Sequence, residues 1–152
     1  MHHIQIMNPN LTLSSIRDKG YKITDVRREI VGLFSEAEKP LSAGELYEKL
    51  HSKNLKVNKT TVYREINFLL KKCYLSEVYL KPHEKSYESA ELIHHHHLIC
   101  ESCGKIDNVT NCLANELEEN VLKNKGFRIT RHSLEFYGKC RDCIKNYNNG
   151  KK

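Results

Sequence analysis

Two Cys-x-x-Cys pairs constrain this chain more than any other feature: Cys100-Glu-Ser-Cys103 and Cys140-Arg-Asp-Cys143. Each pair sets two thiols on one tight turn, where they can chelate a single ion. Together they supply the four-sulfur tetrahedron that structural zinc takes. The intervening residues 104–139 must then fold as a small subdomain that returns Cys140 to Cys103. Gly104 lets the first turn close, and Lys105 adds positive charge beside a dianionic centre. Four scattered thiols, one redox-active pair and an iron–sulfur centre are the alternatives. A redox pair should open a helix in a thioredoxin-like setting, and neither pair reads so; iron–sulfur ligation usually has closer spacing. Cys73 and Cys112 stand alone and read as ordinary thiols, Cys73 ending a helix where glycine would be natural.

His94-His95-His96-His97 lies three residues before the first pair. If the run is extended, successive side chains point to opposite faces. His94 and His96 then share one side and His95 and His97 the other, so one run can feed two metal sites. Glu88 and His132 are candidate completing ligands. Imidazole with carboxylate suits Fe(II), Zn(II), Mn(II) or Ni(II). The bland alternative is a solvated polar strand.

Charge divides the chain the other way. Residues 1–87 hold 15 Lys/Arg against 10 Asp/Glu, and residues 88–152 hold 10 against 9. Five of the six cysteines and five of the nine histidines fall in 88–152. The front half is therefore the candidate for phosphate contact and the back half for metals. No apolar run approaches a membrane span and the N-terminus has no secretory pattern, so a cytoplasmic protein with no membrane partner is expected. There, cysteines serve as ligands or free thiols.

The element pattern matches that division. Residues 12–20 read as a short helix closed by Gly20, and a second helix follows Thr24 and stops at Pro40. Ser42 and Glu45 form a capping box for a third, and Asn58 or Thr60 can cap a fourth, TTVYREINFLLKK. Two β-rich segments, 74–80 and 86–93, complete the order of a winged helix-turn-helix. The back half reads as strands around a helix over about 112–125, with RITRHSLEFYGKC as a strand. The expected fold is α+β: a winged helix-turn-helix DNA-binding domain over 1–87, then a small α+β metal-binding domain over 88–152 with a four-cysteine zinc site.

The stretches GYKIT (20–24), LSAGELYEKL (41–50), TTVYREINFLLKK (60–72), YE (87–88), HHHHLICESCGKI (94–106), GFRITRHSLEFYGKC (126–140) and Cys143 resemble, in order, the ferric uptake regulator superfamily. The resemblance implies a homodimer whose winged helices bind a palindromic double-stranded DNA operator and whose C-terminal domains, 88–152, are dimerisation domains that sense a divalent metal. It implies structural Zn(II) on Cys100, Cys103, Cys140 and Cys143. It also implies a regulatory Fe(II) or Zn(II), or Mn(II), on Glu88, His95 and His97, and a further site using His94, His96 and His132. In that further site His96 replaces a family aspartate and Asn115 a family glutamate, with Glu116 beside it as a substitute. Pro40 stands where the family has an inter-domain histidine; Glu77 or His83 in the wing could replace it, water could complete the sphere, or the metal response could be weak. For DNA, the resemblance points to Lys22, Arg27, Thr61, Tyr63 and Arg64. Tyr63 can meet thymine methyls and Arg64 phosphate or guanine, packing of Tyr63 into the core being the alternative.

The expected function is thus a metal-dependent transcriptional repressor sensing iron or zinc, and not an enzyme. A zinc-uptake-type regulator with wing-derived ligands is one alternative, and a zinc-stabilised DNA-binding protein with weak metal response another. A zinc hydrolase lacks a His-Glu-x-x-His helix and a general base. A zinc-stabilised protein-binding adaptor is the remaining rival.

Overall fold

The computed structural model describes residues 7–81, 84–92, 94–110, 112 and 114–149. The chain forms two compact units, Met1–Ile93 and His94–Lys152. The first opens with helix α1 (Pro9–Asp18), one turn earlier than the apolar pattern suggests. Asn8 caps it, its side chain accepting from the backbone of Asn10 and Leu11, and Pro9 occupies the first turn, where no N–H is needed.

Helix α2 (Asp25–Glu36) is capped by Thr24. Strand β1 (Leu41–Ser42), too short to read from the sequence, precedes α3 (Ala43–Ser52). The capping box is formed: Ser42 Oγ accepts from Glu45 N and Glu45 returns its carboxylate to Ser42 N. Asn58, not Thr60, caps α4 (Lys59–Lys71), because its Oδ1 reaches Thr61 N at 2.8 Å. Just past the C-cap of α4, Lys72, the φ of 59° at Cys73 makes the left-handed turn that glycine usually supplies.

Strands β2 (Leu75–Lys81) and β3 (Glu84–Ser89) form the wing, an antiparallel ribbon with β1 on its far side in the order β1-β3-β2. A division at 87/88 would cut β3: Ser89 still pairs with Leu75, and Ala90 N–H donates to Tyr74 O. Residues 88–92 therefore stay with the first unit.

The helices converge on Ile16, Ile30, Leu46, Leu50, Val62, Ile66 and Leu69, all essentially without solvent contact. Burying each such side chain stabilises by about 1.5–3 kcal/mol. A polar clamp sits at one edge of this core. Arg27 Nε donates to Glu65 Oε2 at 2.8 Å, Nη2 to Oε1 at 3.3 Å and Nη1 to Lys22 O at 2.6 Å. Its guanidinium lies 3.7 Å from the centre of the Phe68 ring, which ties α2 to α4.

The second unit contains β4 (His96–Cys100), β5 (Ile106–Val109), α5 (Ala114–Lys125), β6 (Glu135–Gly138) and α6 (Arg141–Asn149). Its sheet order is β5-β4-β6, with β4 antiparallel to β5 and parallel to β6. Within RITRHSLEFYGKC only Glu135–Gly138 is strand. The sequence pattern gave no sign of α6, whose start directly after Cys140 corrects the expectation that neither cysteine pair opens a helix. Among the described residues of this unit, the buried side chains are His96, His97, Cys100 and Ala114. Its interior is built from potential ligands rather than aliphatic residues.

Candidate metal centres and nucleic-acid interface

The four paired cysteines meet. Cys100 closes β4, Cys103 lies on the following turn, and Cys140 and Cys143 flank the start of α6. Their Sγ atoms all lie within 4.8 Å of one another. Gly104, at φ 72°, donates its N–H to Cys100 O at 2.8 Å and so folds Cys103 back over Cys100. Cys140 N–H points at Cys100 Sγ at 3.3 Å, and Cys103 Sγ lies 3.7 Å from Cys140 Sγ. The backbone N–H groups of Cys140, Cys103 and Ser102 pull the Cys100 thiol down to about 6, while the neighbouring Cys140 and Cys103 sulfurs push Cys143 up to about 12. Four thiolates this close repel one another, and a divalent cation is what cancels that repulsion. The donor chemistry fits zinc. A redox role for Cys140 and Cys143 fits less well, since both belong to a four-sulfur group.

The histidine run divides between two faces. The ring centres of His94 and His96 are 4.7 Å apart, and those of His95 and His97 are 4.8 Å apart. On one face, His97 is buried and its Nδ1–H donates to Asn108 Oδ1 at 2.8 Å, a contact that orients the ring. Glu88 belongs to β3 of the first unit. Glu77 is engaged elsewhere, accepting from Tyr79 Oη at 2.5 Å and Lys85 Nζ at 3.1 Å. His83 lies outside the described residues.

On the other face, His94, His96 and His132 gather with Cys112, all four donor atoms lying within 4.8 Å of one another. Cys112 is therefore no isolated thiol; nothing in its local sequence marks it, since residues 94, 112 and 132 meet only in the tertiary fold. Glu116 is not in this group. It lies on the exposed side of α5, lining a shallow hollow with Glu119 and Lys123. Two residues along a helix turn the side chain by about 200°, so Glu118 faces inward instead. It accepts from His132 Nδ1–H at 2.7 Å. Burial first, and then the neighbouring His94 and His132, hold His96 below the ordinary imidazole value. Its Nε2 is buried and has no hydrogen-bond partner among the described residues.

Helix α4 presents the expected nucleic-acid side chains unequally. Tyr63 is 52% exposed, which rules out core packing, and Arg64 is exposed beside it. Thr61 Oγ1 donates to Asn58 Oδ1 at 3.0 Å and so supports the cap. The Lys22 side chain is exposed. Arg27, for which a phosphate contact is expected, has all three of its nitrogens engaged within the unit and is 11% exposed. Lys56 and Lys59, which no recognised motif marks, are exposed near the start of α4 and add positive charge there.

A winged helix joined to a small α+β unit rich in thiol and imidazole clusters is the build of a metal-responsive transcription regulator. The Ferric uptake regulator family model matches residues 18–137. The chain belongs to the ferric uptake regulator family. It is 30% identical over 132 residues to the ferric uptake regulation protein of Neisseria gonorrhoeae, covering 86% of this chain and 92% of that one. The solved Helicobacter pylori ferric uptake regulator, described as having three functional metal-binding sites, aligns with a TM-score of 0.75 at 25% identity over 95% of this chain and 97% of that one. The Vibrio cholerae regulator, whose structure is described by a rearrangement of its DNA-binding domains, aligns at 0.72 and 27% identity over 85% and 99%. No helix among the described residues is long and apolar enough to cross a membrane.

Proposed function

We propose that this protein is a homodimeric, iron-responsive repressor that binds a palindromic DNA operator. The carrying observation is the division of the histidine run, which assigns His95 and His97 to one face and His94 and His96 to the other. With Glu88, His95 and His97 offer two imidazoles and a carboxylate, a set without thiolate that suits Fe(II). The family relationship favours the same ion. Zn(II) at this site is the second reading, and Glu77 does not support it, because Tyr79 and Lys85 already hold its carboxylate.

Structural zinc on Cys100, Cys103, Cys140 and Cys143 would hold a unit that has almost no aliphatic core of its own. Its apolar side chains lie outside: Leu117 is 61% and Phe127 63% exposed, and Leu98 pairs in register with Phe136 on one sheet face, both exposed. Such surface is covered in the working protein, and a second copy would cover it. Two α4 helices about one DNA turn apart would then present Tyr63 and Arg64 to successive major grooves, with Lys22 and Lys59 near phosphates. The regulatory ion acts by binding the DNA-competent dimer more tightly than other arrangements.

The test starts from protein whose four-cysteine zinc is intact. Duplexes selected from a random pool are titrated with and without Fe(II), Zn(II) and Mn(II), for the native chain and for His95→Ala. Fe(II) should raise affinity in the native chain and leave His95→Ala unaffected. Equal affinity with and without added metal would defeat the sensing role while leaving DNA binding standing.

A further inference from the structure

We propose that Cys112 is a thiolate ligand of the His94–His96–His132 cluster. The site then becomes a three-nitrogen, one-sulfur centre that selects Zn(II)-like ions over Mn(II) and Fe(II). The inference rests on assigning those three histidines to a metal site and deepens it.

Three independent features converge. First, the donor atoms aim at one point. His132 Nε2 lies 3.0 Å from His94 Nε2 and 3.2 Å from Cys112 Sγ, and all four donors fall within 4.8 Å. Metal bonds of about 2.0–2.3 Å in a tetrahedron place ligand atoms about 3.3–3.8 Å apart. Small side-chain adjustments reach that geometry.

Second, His96 is 3% exposed and turns a partnerless Nε2 toward this cluster. A buried imidazole nitrogen without a partner costs stability unless something binds it.

Third, His132 is oriented from behind. Glu118 accepts its Nδ1–H at 2.7 Å, so the lone pair on Nε2 points into the cluster. A carboxylate behind a ligating histidine fixes the tautomer and raises the basicity of the ring.

A sulfur among three imidazoles changes what the site holds. Thiolate is a soft donor and favours Zn(II), whereas Mn(II) favours oxygen donors. A carboxylate at residue 116 would have done the reverse, but it faces outward on α5. The two faces of one histidine run would therefore prefer different ions: oxygen and nitrogen donors around His95 and His97, sulfur and nitrogen donors around His94 and His96.

Cobalt separates the possibilities, because a thiolate bound to Co(II) gives a charge-transfer absorption in the near ultraviolet and imidazoles alone do not. Full-length protein retaining zinc in the four-cysteine site is titrated with Co(II). The native chain should show that band together with the visible absorption of tetrahedral cobalt. One equivalent of Zn(II) should bleach both, and excess Mn(II) should not. Cys112→Ser should lose the charge-transfer band and weaken Zn(II) binding at this site by at least the roughly 10–100-fold that even an outer-shell partner is worth. Cys73→Ser, the other cysteine outside the four, should leave the spectrum unchanged. A band that survives Cys112→Ser overturns the proposal. So does cobalt uptake that His94→Ala abolishes but that never shows the band; in that case the histidine site stands without the thiolate. Cobalt uptake indifferent to both Cys112→Ser and His94→Ala removes the histidine site itself.

Discussion

Arg27 forms a clamp inside the winged helix, while the family resemblance implies a phosphate contact for it; Arg27→Met separates the two roles. The methionine keeps an apolar stem on Phe68 but removes every hydrogen bond to Glu65 and to Lys22 O. Glu65 is 14% exposed and would be left nearly buried without its cation. Removing one partner of a buried pair costs about 3–5 kcal/mol, and residual water access places this one near about 3. The lost cation–π contact adds about 0.5–1 kcal/mol. A total of about 3–4 kcal/mol, at about 4–8 °C per kcal/mol for a domain of this size, lowers the melting temperature of the first unit by more than about 10 °C. The assay is urea and thermal unfolding of the zinc-loaded full chain by circular dichroism, paired with DNA titrations at several salt concentrations. Adding Glu65→Leu should recover much of the loss, since replacing both ions by apolar groups leaves no orphan charge. The reasoning is refuted if Arg27→Met unfolds within about 1 kcal/mol of the native chain while the salt slope of DNA binding falls by about one, the mark of a lost phosphate contact.

Three further outcomes follow from the same structure. Ser42→Ala breaks the capping box of α3 and should destabilise the first unit by about 1–2 kcal/mol in urea titrations. Cys143→Ser should remove structural zinc and, because binding free energies at such sites reach about 10–16 kcal/mol, unfold the second unit while the first still melts cooperatively. The Glu77 carboxyl is held below 4.5 chiefly by the Tyr79 hydroxyl and then by Lys85. Its contribution is present above the unfolded value and is lost as pH falls through the lower folded one. Unfolding free energies measured below about pH 5 should therefore fall less steeply for Tyr79→Phe than for the native chain.

Local chemistry carried much of this fold into plain view. The capping box at Ser42 and the cap at Thr24 are complete within a few residues, and the apolar spacing of α4 already named its buried face. Where the local signal is short or weak, the element is not legible in the sequence. Strand β1 is two residues that pair only because Tyr87 and Ser86 lie opposite. Helix α6 is short and strongly polar, with Ile144 and Tyr147 its large apolar residues, and it follows from the turn that carries Cys140 and Cys143.

The two clusters of candidate ligands in the second unit divide along the same line. The four cysteines announce themselves because each pair chelates through its own local turn, and the alternation of the histidine run follows from the pleat of a strand. Both are short-range facts, so the sequence alone determined them. The partner of His132 was decided by the tertiary structure. Whether Glu116 or Glu118 meets His132 depends on which side α5 turns toward it, and a shift of two residues reverses that. Cys112 enters the cluster because the chain returns past β4 after β5, a contact between residues far apart in sequence. Pair spacing encodes what neighbouring residues hold together; ligands drawn from distant segments are encoded only in the packing that brings them to one point.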